Sequence, residues 1–249
     1  MAEKEKDKGT RVLTPAGKPA PASGSAARDL EEKKARIKKI IKILRKEYPR
    51  PRTALNYRTP FELLVATILA AQCTDERVNK VTPGLFQKYP TVESFARARQ
   101  EELENDIRST GFFRNKARSI IGLSQMLMAE LGGRVPDSMD QLVRLPGVAR
   151  KTANIVLASA FRKAEGIAVD THVRRLSERL GLSRQADPDK IERDLMEIVP
   201  RSDWLDFNFL LVDHGRKVCQ ARKPLCPQCA VRQLCPSFEK FSRLFSGRK

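Results

Sequence analysis

The sequence predicts an all-α protein, on three observations. Apolar residues return at the spacing of one helical face in run after run. Helix-opening pairs recur, as in Thr59-Pro60 and Asp187-Pro188. The longest strand-like stretch is Ile167-Ala168-Val169, too short to found a sheet.

Composition narrows the classes further. A chain of 249 residues can hold one or two domains with real cores. Lys and Arg outnumber Asp and Glu by 48 to 30, for a net charge of +18 and a pI near 10.0. That surplus points to a polyanionic partner, nucleic acid before anionic membrane. No apolar run reaches the ~18 residues of a membrane span, and no membrane partner is expected. Two histidines, His172 and His214, give poor support to mechanisms that need several histidine ligands.

Taken in order, residues 1–28 are polar, with Pro, Ala, Gly and Ser, and are expected to form a disordered basic tail. Glu3, Glu5 and Asp7 argue against a transit peptide, and no signal-peptide apolar region follows. The tail reads as a dispensable solvated segment or as weak extra attraction to nucleic acid. A first helix is expected over Asp29–Tyr48, with Ile37, Ile40, Ile41, Leu44 and Tyr48 on one face and Pro49 and Pro51 ending it. Phe61–Ala71 is apolar almost all round and should be a buried central helix. Gln72 is polar where that helix reaches a surface, and Cys73 reads as a small buried hydrophobe.

Three more helical segments are expected within residues 75–131, broken at Pro83-Gly84, Pro90 and Gly111. Phe112 and Phe113 put adjacent aromatics at a turn, where one can be core and the other exposed. After Gly132-Gly133, Ser138 and Gln141 form a capping-box pattern. Later helices are expected near 171–180, 188–199 and 203–214.

The most informative stretch is 142–175. Leu142 and Leu145 lead into the turn Pro146-Gly147-Val148-Ala149, and a helix follows with Ala153, Val156, Leu157 and Ala160 on one face. A Pro-Gly turn before a helix leaves backbone N–H groups aimed outward at a positive helix end, which suits a phosphate. Lys151 lies in the first helical turn. There the dipole disfavours its ammonium form, expected partial burial acts the same way, and a nucleophilic amine results. Asp170 is a lone carboxylate ahead of Thr171-His172-Val173, either a partner for Lys151 or an N-cap.

Of five cysteines, four are spaced C-x6-C-x2-C-x5-C: Cys219, Cys226, Cys229 and Cys235. Such clustering is a metal site of a reducing compartment and not a secreted disulfide framework. Zinc sites usually pair two short Cys knuckles, whereas this run has one, and the loop of six suits a larger [4Fe–4S] cube. Arg222 and Lys223 in that loop either meet phosphates or are simply solvated.

The runs LPGVARKTA and IAVDTHVRR resemble the helix–hairpin–helix and Gly/Pro-Asp signature of base-excision DNA glycosylases, and within them endonuclease III. The likeness continues through Asn56-Tyr57, Pro60-Phe61-Glu62-Leu63-Leu64, Ala71-Gln72, Thr74-Asp75 and Asn115-Lys116-Ala117. It reaches the four cysteines, and spans the chain from near Ile37 to Pro236. One departure is Ala149, where the family's hairpin has a second glycine. A methyl group there limits φ and would hold a phosphate further away.

The resemblance implies two helical lobes flanking a DNA-binding cleft. Residues 53–164 would form the lobe with the hairpin, and 29–52 plus 165–249 the lobe with the [4Fe–4S] cluster. It implies a bifunctional N-glycosylase and AP lyase that excises oxidised pyrimidines from double-stranded DNA and cuts at the abasic site. Lys151 would be the nucleophile, and Asp170 would stabilise sugar charge or help deprotonate Lys151. Gln72 would fill the gap left by an extruded base and Phe112 would wedge the stack, with Pro146, Gly147, Val148, Ala149, Arg222 and Lys223 on the backbone. A monomer in the bacterial cytoplasm, at the nucleoid, is expected. Two alternatives stay open. A monofunctional adenine-removing relative shares the cluster but lacks the hairpin lysine. A non-catalytic DNA-binding protein gains slight support from Ala149 and is opposed by Lys151 with Asp170.

Overall fold

A computed structural model of the chain describes residues 24–246, which hold twelve α-helices, four short 3-10 turns and no strand. The first helix, α1, runs Gly24–Glu47. Residues 24–28, expected in the tail, are therefore helical; the rest of the tail lies outside the described residues.

Two cores organise the rest. The first is built around α2 (Pro60–Leu69), where Leu63, Leu64, Val65, Ala66 and Leu69 have no exposed surface. Burial of each of the larger of these side chains is worth about 1.5–3 kcal/mol, which makes α2 the axis of its lobe. Thr59 caps α2 as expected, its Oγ1 accepting from the Glu62 N–H at 3.1 Å, with Pro60 in the first turn. Around α2 pack α3 (Asp75–Lys88), α6 (Phe113–Leu131) and α8 (Arg150–Ala160); α4 (Val92–Ala96) and α5 (Gln100–Asp106) lie against α6.

Three local expectations fail here. Pro83-Gly84 does not break α3, because both face solvent while Val78, Thr82 and Leu85 on the other side are buried. Burial of that side outweighs the cost of proline within a helix. Residues 75–131 nevertheless hold four α-helices and a 3-10 turn, Arg108–Thr110, rather than three segments, because the chain is also interrupted between α4 and α5. The capping box at Ser138 also does not form. Its hydroxyl turns to Gln141 Oε1, and the Met139 N–H at the start of α7 (Met139–Leu142) is taken by Glu165 Oε2 at 3.0 Å.

The second core joins α1 to α9 (Thr171–Arg179), α10 (Pro188–Ile198) and α11 (Trp204–Lys217) through Ile37, Ile40, Leu44, Val173, Leu176, Leu195, Phe207 and Leu210. Asp187 caps α10 as expected, accepting from the Lys190 N–H at 3.0 Å. A last helix, α12 (Phe238–Ser246), was not foreseen. Contact of α8 with α11 and the buried extended segment Ile167–Val169 join the two lobes.

Candidate DNA-repair active site

Residues 143–149 turn the chain between α7 and α8. Gly147 has φ +78°, and a Cβ there would come within 2.6 Å of the Ser119 side chain on α6, so glycine alone fits. Ala149, at the N-cap of α8, has φ −85° and ψ 166°, extended backbone that any residue adopts. The expected φ constraint from its methyl group is therefore absent. No side chain caps α8, so its first N–H groups are left for a ligand. Pro146, Gly147 and Ala149 are exposed. Val148 is buried, its side chain belongs to the core, and only its backbone can meet a phosphate.

Lys151 stands in the first turn of α8 and is exposed, so the partial burial expected of it is not found. Asp170 is the N-cap of α9. Its Oδ1 accepts from the N–H groups of His172 at 2.9 Å and Val173 at 2.8 Å, and Oδ2 lies 3.1 Å from His172 Nδ1. Burial alone would raise the Asp170 carboxyl. The His172 ring, the Val173 N–H and the charge of Lys151 outweigh burial and hold it below the usual carboxylate range. Capping of α9 and a lowered carboxyl thus coexist in Asp170.

A cleft near the hairpin brings together Gln72, Phe112, Asn115, Ser119, Gly147 and Thr152. Gln72 (φ +53°) and Phe112 (φ +47°) both occupy the left-handed region, unusual for non-glycine residues. Phe112 is 61% exposed, whereas Phe113 beside it packs against the first core. Lys116 is buried below them, and its Nζ donates to the carbonyls of Leu69 at 2.7 Å and Thr110 at 2.8 Å. It therefore ties the chain three residues before Gln72 to the chain two residues before Phe112.

Cys219, Cys226, Cys229 and Cys235 line one cavity, walled by Arg179, His214, Phe238 and Phe241. All four thiols are unpaired. Burial, with mutual repulsion of the four sulfurs, raises Cys226, Cys235 and Cys229, the last to about 11. Thiolates crowded in this way call for a cationic centre. Four cysteine sulfurs around one cavity are a donor set that suits a metal centre, although among the described residues no three His, Cys, Asp or Glu side chains gather closely enough to hold a metal ion. The loop is held from α9, where Arg175 donates to the Cys219 and Gly215 carbonyls and Arg179 to those of Gln220 and Ala221. Arg222 and Lys223 are exposed on it.

Comparison with known proteins gives the same picture. Residues 65–201 match the HhH-GPD superfamily of base excision DNA repair proteins. Endonuclease III of Synechocystis is 55% identical over 213 residues, covering 86% of this chain and 97% of the relative. The chain belongs to the endonuclease III family. The Bacillus subtilis endonuclease III is 46% identical over 194 residues, 78% of this chain and 88% of the relative. A solved endonuclease III trapped as a covalent intermediate with DNA is 45% identical. It superposes with a TM-score of 0.79 over 83% of this chain and 97% of that one.

As a member of the endonuclease III family, the protein is a DNA glycosylase of base excision repair. Several residues that shape its site escaped the sequence reading. His172 was legible only as one of two histidines, two positions after Asp170. Lys116 lay inside the Asn115-Lys116-Ala117 motif without a role. Arg175 and Arg179 gave no local signal, because their partners are distant in the chain.

Proposed function

We propose that the protein is a bifunctional DNA N-glycosylase and AP lyase that removes oxidised pyrimidines from duplex DNA in the bacterial cytoplasm, acting as a monomer. The observation that supports this reading is placement: Lys151 stands in the first turn of α8, Asp170 caps α9, and both helices pack against α11. In this reading two helices, α8 and α9, supply the amine and the carboxylate. The outward N–H groups of α8 and the exposed hairpin support backbone phosphates, and the exposure of Phe112 beside Gln72 supports entry into the base stack.

In this reading the Lys151 amine attacks C1′ of an extruded nucleotide. A C1′–N bond to lysine forms as the glycosidic bond breaks, and the base departs with the bonding pair and takes up a proton. Cleavage of the C1′–O4′ ring bond, with O4′ taking up a proton and remaining on C4′ as a hydroxyl, gives an imine at C1′; removal of a C2′ proton then expels the 3′ phosphate by β-elimination. Asp170 accepts hydrogen bonds at both oxygens and is held ionised below the ordinary range. A carboxylate so held is a weak base, so its part is to stabilise the positive charge developing on the sugar rather than to deprotonate Lys151.

Cys219, Cys226, Cys229 and Cys235 would hold a [4Fe–4S] cluster. Once bound, it supplies cross-linking of the C-terminal loop, which carries Arg222 and Lys223 toward phosphates. The test is a duplex carrying thymine glycol. Base release together with a cut 3′ to the lesion is expected; release with an uncut strand would leave a monofunctional glycosylase.

A further inference from the structure

Glu192 lies on α10, 4% exposed, and the reaction described above makes no use of it. Its Oε2 accepts from Arg150 Nε at 2.7 Å; its Oε1 accepts from Asn154 Nδ2 at 2.8 Å and from the Ile167 N–H at 3.2 Å. These partners are not scattered. Arg150 immediately precedes Lys151, and Asn154 lies one turn further on the same face of α8. Ile167 opens the buried segment that ends in Asp170. One carboxylate thus grips the start of the helix carrying the amine and the start of the segment carrying Asp170, from a helix of the other core.

Gly166 shows how closely the grip is built. A Cβ there would run into Glu192 Oε1 and come within 2.7 Å of Asn154 Oδ1. The glycine leaves room for the carboxylate, and its φ is not in the left-handed region, so space and not backbone freedom explains it. Asn154 Oδ1 is buried with no hydrogen-bond partner, so the amide is oriented by its single bond to Glu192. A buried charge is retained only when it is paired and hydrogen-bonded, and here every partner belongs to the two segments that carry Lys151 and Asp170.

We propose that Glu192 is a positioning residue for the reaction, fixing the Lys151 amine relative to Asp170 by clamping the first turn of α8 to the segment before α9. The inference rests on Lys151 being the nucleophile. Glu192 itself touches no substrate.

The full-length protein with its cluster provides the test. Single-turnover borohydride trapping is measured on saturating abasic duplex, with the duplex Kd measured separately without borohydride. Glu192→Gln keeps the size and one acceptor oxygen but drops the charge that holds Arg150. Trapping should slow by about 10- to 100-fold, the scale of a reacting group misplaced by about an ångström, with Kd within about twofold of wild type. Gly166→Ala keeps the carboxylate charged but displaces it, and should give the same split. Wild-type trapping rates in both variants, with Lys151→Gln inert, would overturn this proposal and leave the nucleophile standing. Parallel loss of affinity, rate and melting temperature in both would also overturn it, since Glu192 would then only hold the fold. Trapping that survives Lys151→Gln would remove the reading beneath it as well.

Discussion

Oδ2 of Asp170 lies 3.1 Å from Nδ1 of His172, within the helical turn whose N–H groups Oδ1 caps. The carboxylate is therefore fixed by its own helix. Burial pushes the Asp170 carboxyl up, and the His172 ring, the Val173 N–H and Lys151 more than reverse this.

A depressed folded value sets the sign of a pH effect. The stability Asp170 contributes is fully present above the unfolded carboxyl value of about 3.9 and is lost as pH falls through the folded value. Asp170→Asn should flatten the acid limb of stability measured by guanidinium unfolding from neutral pH downward. At neutral pH Asn still caps α9, so the loss should be on the order of 1 kcal/mol or less. Base excision should nevertheless fall sharply, and cleavage of a pre-formed abasic site less so. Intact excision with a lowered Tm would make Asp170 a helix cap only.

Lys116→Met should strand the Leu69 and Thr110 carbonyls without a donor. Each buried acceptor left unpaired costs about 1–3 kcal/mol, so a clear drop in Tm is expected. Because both carbonyls precede the Gln72 and Phe112 turns, the base-opening signal of a fluorescent base analogue beside the lesion should weaken too. An unchanged signal would show that the two turns hold themselves.

The purified protein should be yellow-brown and carry about four irons per chain. Cys226→Ser should reduce hydrogen-exchange protection in α9, α12 and the loop between α11 and α12 more than in α2, since Arg175 and Arg179 couple α9 to that loop. A colourless folded protein with one zinc would contradict the cluster assignment.

Affinity for duplex DNA should fall steeply with salt, by about 0.9 logarithmic units per phosphate contact for each decade of salt. Ala149→Gly should leave both affinity and slope within about twofold of wild type, because the N-cap backbone is already extended. Tenfold tighter binding would show that the methyl group obstructs a phosphate.

What was legible in the sequence was local. Thr59-Pro60 and Asp187-Pro188 cap the helices they were expected to cap, because a cap bonds only its own first turn. The all-round apolar α2 had to be central. Pro83 misled because tertiary burial of Val78, Thr82 and Leu85 overrode a local signal. Ser138 misled because its hydroxyl donates to the Gln141 side chain and caps no N–H, while Glu165 takes the Met139 N–H. The same distance hid the supports of the site: Lys116 meets Leu69, and Glu192 meets Arg150, across separations that no periodicity encodes.

The measurement that bears most directly on the account is borohydride trapping of Lys151→Gln on an abasic-site duplex. Glutamine preserves length and a hydrogen-bonding end but cannot form an imine. The variant should give no trapped complex and no strand cleavage while keeping lesion affinity close to wild type. A complex trapped at the wild-type rate would mean that another amine attacks the sugar, and the assignment of Lys151 would be wrong.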